Sequence, residues 1–377
     1  MHNPVSAVKN KHRQKAFELL SSRQEISRVD IANELGVSLQ TAMKIMQYFT
    51  DYGLAEYIGE GSGSLGRKPQ MYAFKPNVAH IIAAVHEGNV IRVGILDASY
   101  RLLAEEMADI QGDMYDSMVQ QPCGIAEQLI KRLKKQGKHA DRLLGMGLCL
   151  PGVVDDIQNE ISFAPNFSLN ASYQVGDLVA ETAGRIGAPV YIENDANAAV
   201  YGEHTNSGTT DLAFISFGTG VGMGMVFDGK LWRGSKCTAG EIGFIPYTDE
   251  YSPEQSHYIE ELISLDALKR RFGFDRHFGQ ASMNPEARKA MMNAVSDAAA
   301  HLVALTAAMV NISDFVLGGL TVESLGDLLV EEVRRKMKTL SPFPVTVHKQ
   351  SLACPALIGA ARMVMDRCLP KLLSLDT

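Results

Sequence analysis

From residue 76 onward the chain alternates strand-like and helical segments around glycine turns, a pattern that points to an α/β architecture with largely parallel or mixed sheets. Residues 90–97 and 101–106 read as a hairpin around Ala98-Ser99-Tyr100, residues 122–135 as a helix, 144–151 as a buried strand and 175–186 as a helix. Residues 190–193 form a short strand leading into a helix that opens at Ala196. Residues 211–216 and 222–227 make a hairpin over Gly218-Thr219-Gly220, and an Ala-rich buried helix over 296–311 feeds a strand at 315–317 that ends in Gly318-Gly319. At roughly 150 residues per domain, 377 residues imply two or three domains. The longest apolar runs, 148–154 and 301–310, fall short of the roughly 18 residues that cross a bilayer, so no membrane span is expected. The N-terminus turns basic and polar without the apolar stretch of a secretory signal, which predicts a cytoplasmic protein. Five cysteines lie far apart with no CxxC pair, so neither a disulfide framework nor a zinc cluster is expected.

Residues 1–75 carry ten Lys and Arg against seven Asp and Glu, net +3, whereas the remainder carries 26 against 36, net −10. An acidic body repels nucleic acid, so any DNA contact falls to the N-terminal segment. Its first helix fits residues 8–21, with Ala16, Phe17, Leu19 and Leu20 as the apolar stripe and Lys9, Lys11, Arg13 and Lys15 as a basic face. Ser27-Arg28-Val29-Asp30 is an acidic capping box that starts a second helix ending near Leu35. Gly36-Val37-Ser38 then makes a tight turn, with Gly36 free to take a positive φ and Ser38 placed to cap a third helix over 39–52. Ala42, Ile45, Met46 and Phe49 form the buried face of that helix, leaving Gln40, Thr41, Lys44 and Tyr48 outward, where polar groups can read base edges in a major groove. Residues 54–58 and 67–74, around a Gly/Ser loop, complete a winged helix-turn-helix. Its Gly66-Arg67-Lys68-Pro69 places Arg67 and Lys68 for a minor groove or, alternatively, as solvated charges.

Six motifs then follow in order: Leu148-Cys-Leu-Pro151-Gly152-Val-Val-Asp155, Ala164-Pro165-Asn166, Glu193-Asn194-Asp195-Ala-Asn197, Phe217-Gly218-Thr219-Gly220-Val-Gly222, Gly240-Glu241-Ile-Gly243 and Val316-Leu-Gly318-Gly319. Over about residues 78–365 this series resembles the ROK family of repressors, open reading frames and kinases. With the winged segment in front, the chain is similar to its repressor branch, which includes xylose and N-acetylglucosamine repressors. The resemblance implies a two-lobed actin-like or hexokinase-like (ribonuclease H-like) body around a sugar cleft. It divides the chain into a DNA-binding domain at 1–75, a first lobe at 78–193 with 359–377 returning to it, and a second lobe at 194–358.

The family's kinases carry an Asp-x-Gly-Gly-Thr phosphate loop where this chain reads Val85-His86-Glu87-Gly88-Asn89. Val85 replaces the aspartate, and Glu87 adds bulk and negative charge where a backbone should approach phosphates. Loss of ATP binding is therefore expected, although Gly218-Thr219-Gly220 is intact and serves turn geometry equally well. By resemblance Asn166, Asn194, Asp195, Glu241 and Glu260 stand at sugar-contacting positions, with Asp195 at the place of the catalytic base; in a sensor that carboxylate accepts a hydrogen bond instead. The family's Glu-x-Gly-His ends here in Phe244, which offers an aromatic face to a sugar, and its zinc segment with three cysteines is replaced by 245–257, which has none. The expectation is a sugar-responsive repressor that uses no cofactor or metal, with double-stranded operator DNA and a small-molecule sugar as partners. Coupling of two DNA-binding heads requires a homodimer or higher homo-oligomer. The alternatives are an active sugar kinase fused to a DNA-binding domain, and a constitutive DNA binder with a vestigial cleft.

Overall fold

The computed structural model describes residues 4–61, 68–138, 142–163, 172–250, 257–274 and 283–374. The head comprises α1 (Pro4–Arg23), β1 (Glu25–Ser27), α2 (Arg28–Leu35), α3 (Leu39–Asp51), β2 (Ala55–Glu60) and β3 (Gln70–Phe74), with the strands ordered β1-β3-β2. The capping box forms as its residues dictate: Asp30 N donates to Ser27 Oγ at 3.1 Å and Ser27 N donates to the Asp30 carboxylate at 3.2 Å. Gly36 takes φ +63°, and Thr41 N donates to Ser38 Oγ at 3.2 Å. The three-residue β1 was not expected, because a strand so short has no periodicity of its own; it exists through antiparallel pairing with β3.

Two expectations about the head are corrected. Arg13 belongs to no solvated basic face: only 4% of it is exposed. Tyr48, expected outward on α3, is buried at 7% exposure. Both turn toward the C-terminus of the chain.

The body holds two five-stranded sheets. The first has the order β11-β7-β4-β5-β6, from β4 (His80–Glu87), β5 (Val90–Asp97), β6 (Leu102–Asp109), β7 (Leu143–Leu150) and β11 (Val190–Asn194). α4 (Gln121–Lys135) and α5 (Gly176–Ile186) lie between its strands in sequence, and a small antiparallel sheet forms from β8 (Val153–Asp155), β9 (Glu160–Ser162) and β10 (Tyr173–Gln174). α6 (Asp195–Ser207) leads to the second sheet, ordered β14-β13-β12-β17-β18. Its strands are β12 (Leu212–Phe217), β13 (Val221–Phe227), β14 (Lys230–Leu231), β17 (Asp314–Gly318) and β18 (Thr346–Lys349). Before β17 come the paired β15 (Pro246–Tyr247) and β16 (His257–Tyr258), then α7 (Ile259–Ile263), α8 (Leu265–Phe272) and α9 (Pro285–Val310). α10 (Leu320–Leu325), α11 (Asp327–Leu340) and α12 (Pro355–Leu373) complete the chain.

α9 starts well before the expected residue 296, because Asn284 caps it through a 2.7 Å bond from Ala287 N and Pro285 suits its first turn. Among the described residues it is the one helix long and apolar enough to cross a bilayer, with half of its apolar stretch buried. Met291, Val295, Ala299 and Leu302 supply one side of a core with Phe315 and Leu317 of β17.

Glycines set the closest approach in the molecule. A Cβ on Gly202 of α6 would lie 1.9 Å from Pro355 O, and one on Gly359 of α12 would lie 1.7 Å from Ala198 O. The two helices therefore cross backbone against backbone. Thr205 and Tyr201 on α6 meet Arg362 and Asp366 on α12, the first pair at 3.1 Å. α12 also lies on the first sheet, where a Cβ on Gly147 would meet Ala360 O at 2.7 Å.

Candidate functional site

The end of β11 and the start of α6 place Asn194 and Asp195 at the floor of a cleft of about 480 Å³ between the two large sheets. Asn194 caps α6: its Oδ1 accepts from Asn197 N at 3.0 Å and its Nδ2 donates to Gly152 O at 2.9 Å, so its amide also ties down the turn after β7. Asp195, the first residue of the helix, accepts from Ala196 N at 2.8 Å. Burial pushes its carboxyl up to about 6; the Ala196 amide opposes this, and the charges of Glu87 and Glu260 add to it.

Glu241 reaches the cleft because Gly240, at φ +95°, lets the chain cross β13 so closely that a Cβ there would lie 1.8 Å from Met223 O. Burial, then Asp195 and Glu260, raise the Glu241 carboxyl to about 7. Glu260 is seated between Gly220 and Gly243 and accepts from Val221 N at 2.9 Å; burial raises its pKa while that amide lowers it. Phe244 is 43% exposed and meets the Tyr258 ring edge-on at 5.8 Å. Asn194, Asp195, Glu241, Phe244 and Glu260 thus line one cleft, while Asn166 falls outside the described residues.

At the other end of the cleft, Val85-His86-Glu87 is the end of β4, followed by a turn at Gly88-Asn89. Glu87 accepts from Cys354 Sγ at 3.0 Å and faces Arg92 at 3.4 Å. A Cβ on Gly88 would lie 2.7 Å from Thr219 Cγ2, so this turn abuts the Gly218-Thr219-Gly220 turn that joins β12 to β13. His86 is buried, and burial lowers its imidazole to about 4 against the opposing carbonyls of Cys149 and Ser117, which leaves it neutral. Among the described residues no group of three or more His, Cys, Asp or Glu is arranged to hold a metal ion.

Glu193 was not singled out by its sequence neighbours, although the fold makes it central. It is 1% exposed, receives Arg233 Nε at 2.8 Å, and accepts from Asn194 N at 2.9 Å and Asn197 Nδ2 at 3.0 Å. The Glu193-to-Asn197 spacing is visible as i, i+4, but Arg233 lies 40 residues away and leaves no local signal. In the β13 run, Gly224 has a packing role: a Cβ there would meet Ala196 O at 2.4 Å, so α6 can lie directly on the strand.

In the head, Ser38, Gln40, Lys44 and Lys68 are exposed and Thr41 is partly so. Ser38 and Thr41 bond each other at 3.0 Å, which commits the serine to capping. Arg67 lies outside the described residues.

The ROK family model matches residues 88–367. A putative xylose repressor of Caldicellulosiruptor sp. (strain Rt8B.4) is 27% identical over 350 residues, 85% of each chain. The xylose repressor of Bacillus subtilis (strain 168) is 25% identical over 63% of this chain and 60% of its own length. A glucokinase of Halalkalibacterium halodurans is 36% identical, over only 33% of this chain and 38% of its own. Among solved structures, a ROK family transcriptional regulator homologous to the E. coli MLC protein superposes with TM-score 0.75 at 17% identity, covering 97% of this chain and 98% of that one. A ROK family glucokinase from Streptomyces griseus, in complex with glucose and AMPPNP, gives TM-score 0.61 at 23% identity over 76% of this chain and 99% of its own. The kinase covers about three-quarters of the chain and the regulator nearly all of it. The family model covers well over half: the chain belongs to the ROK family.

Proposed function

We propose that the chain is a sugar-responsive transcriptional repressor whose head binds an operator and whose cleft binds a sugar without phosphorylating it. The observation that carries this reading is the abutment of Gly88 on Thr219 beside the Glu87 carboxylate, in a cleft that still presents Asp195, Glu241 and Glu260. A nucleotide's phosphates need an open backbone cradle, and here the two turns that would form it are in contact and one carries a negative charge. The remaining carboxylates suit sugar hydroxyls, each accepting a hydrogen bond in fixed geometry, and Phe244 can stack on an apolar sugar face. They also disfavour a phosphorylated sugar, whose charge they would repel. The names of the repressor relatives and the full-length likeness to a transcriptional regulator support the same assignment.

On this reading Asn166, Asn194, Asp195, Glu241, Phe244 and Glu260 form the sugar site, and Gln40, Thr41, Lys44, Arg67 and Lys68, with Ser38 as cap, face DNA. The divisions are a head at 1–75, a lobe at 78–193 with 359–377, and a lobe at 194–358. The protein works in the cytoplasm as a homodimer whose two heads read two half-sites. One feature favours the kinase reading: a carboxyl raised to about 6 at Asp195 has the affinity for protons that a general base needs. A thermal-shift series with D-xylose, D-glucose, N-acetylglucosamine and D-glucose 6-phosphate, run beside an ATP-consumption assay, separates the two. The expected result is stabilisation by one neutral sugar, which grows with the logarithm of its concentration, and no ATP turnover. Turnover above background would restore the kinase, and stabilisation by none of the sugars would leave a vestigial cleft.

A further inference from the structure

We infer that Arg13 and Tyr48 are positioning residues that clamp the recognition helix α3 to the last turn of α12, and that a displacement of α12 reaches the DNA-reading face through them. The inference rests on the proposed reading of the chain as an effector-responsive DNA binder, but the clamp itself can be tested without DNA or sugar.

A helix end leaves its last carbonyls without intrahelical partners. In α12 two of these are met from the head: Arg13 Nη1 donates to Leu373 O at 2.8 Å, and Tyr48 Oη donates to Leu372 O at 3.2 Å. The two donors also hold each other, since the Arg13 guanidinium lies 3.4 Å from the centre of the Tyr48 ring. Tyr52 packs beside Tyr48, with ring centres 4.4 Å apart and planes tilted by 37°. Burying a guanidinium is costly unless its charge is met, and Arg13 sets its charge against the negative end of the α12 dipole and a π face. Around the clamp, Ala16, Phe17, Leu20 and Phe49 of the head join Leu369, Leu372 and Leu373 in one continuous core.

The other end of α12 is held just as closely. It crosses α6 through Gly202 and Gly359, and Arg362 with Asp366 ties the helices again one turn later. α6 begins at Asp195, on the cleft floor. A change in cleft opening that moves α6 must therefore carry α12 with it. A 19-residue helix is about 28 Å long, so a tilt of about 5° moves its far end by about 2.5 Å. That shift is enough to misplace a recognition helix whose side chains must meet base edges at hydrogen-bond distance. Because Tyr48 is on α3 itself, no flexible linker intervenes.

The test compares full-length Arg13→Gln, Tyr48→Phe and the double variant with Lys15→Gln, a change at an exposed position of the same helix. Hydrogen exchange followed by mass spectrometry is the first readout. The clamp predicts exchange at least about tenfold faster in α3 and in the last turn of α12 in the double variant, with β4, β7 and β12 unchanged and Lys15→Gln like the wild type. Wild-type exchange rates in those two segments would overturn it. The second readout uses duplexes selected in vitro by the wild-type chain from random DNA. Binding to a site with two half-sites should weaken about tenfold, while binding to an isolated half-site stays within about twofold. Equal losses on both would mean local damage to the head and would refute a positioning role. If selection enriches no sequence, the proposed function fails, and the exchange measurement still decides the clamp.

Discussion

In the head, the polar groups that shape the fold close on near neighbours: Ser27 with Asp30, Ser38 with Thr41. In the cleft, Asp195, Glu241 and Glu260 come from three separate segments, and burial raises all three pKa values, with neighbouring carboxylates adding to it: Glu87 and Glu260 at Asp195, Asp195 and Glu260 at Glu241, and Glu261 at Glu260. The head thus lowers its free energy locally, whereas the cleft holds carboxylates in an arrangement that a proton or a hydrogen-bonding ligand relieves. The two regions meet through the glycine crossing of α6 and α12, and there the comparison breaks most readily. Gly202→Ala drives a methyl into Pro355 O and should cost about 3 kcal/mol or more, since backbone on both sides leaves nothing flexible to yield. Gly124→Ala, in α4 with open space around it, should instead stabilise by about 0.5–1 kcal/mol. Urea midpoints of the two variants measure both effects, and equal midpoints would mean that the helices do not cross so closely.

The contrast sharpens at Asp195. Under the proposed function, Asp195→Asn keeps the shape and removes the charge, so sugar affinity should fall by about 1–3 kcal/mol while DNA affinity without sugar is unchanged. Titration calorimetry with the sugar that stabilises the wild type gives the first quantity and fluorescence anisotropy on selected DNA the second. Unchanged sugar affinity would remove Asp195 from the ligand.

The same contrast explains which parts of the molecule were legible in sequence. Capping boxes, the Gly36 turn and the apolar face of α3 obey rules that act over three or four residues, and they appear where the sequence puts them. The large hairpins were legible for the same reason. Arg13 and Tyr48 were misread because their partners, Leu373 and Leu372, lie more than 300 residues away, and a lone arginine on a basic stripe looks like its neighbours. Asn194, Asp195, Glu241, Phe244 and Glu260, which line one cleft, stand out in the sequence only through the family resemblance, since no periodicity distinguishes a carboxylate in a cleft from one on a surface. Glu193 leaves no such signal although it stands beside Asn194 and Asp195, because its role is created by Arg233 from another part of the fold.

A pH series tests the strain ascribed to the cleft. Asp195 and Glu241 titrate near 6 and 7 in the folded chain, above the ordinary carboxyl range near 4 that applies when it unfolds. Between those values the native state binds more protons than the unfolded one, so their contribution to stability is present at pH 4 and is lost as pH rises through 7. After allowance for partial solvation, the loss should be about 1–2 kcal/mol between pH 5 and pH 8. The double variant Asp195→Asn, Glu241→Gln should show a flatter profile by that amount. Parallel profiles would mean that the two carboxyls are not strained.

The smallest effect asks whether the head's self-contained chemistry is also energetically separate. Ser27→Ala removes the cap of α2 and should cost about 1 kcal/mol. Phe17 and Phe49 of the head share a continuous core with Leu369 and Leu372 of α12, so the loss should be felt by the whole molecule. The chain has one tryptophan, Trp232, in the body beside Phe227, and its fluorescence reports body unfolding alone. If head and body unfold as one cooperative unit, Ser27→Ala lowers the Trp232 midpoint and the helical circular-dichroism midpoint together. A Trp232 midpoint that stays at the wild-type value while part of the helical signal melts earlier would show that the clamp and the shared core do not bind the two regions into one unit. The free energy for moving α3 would then have to pass by another route.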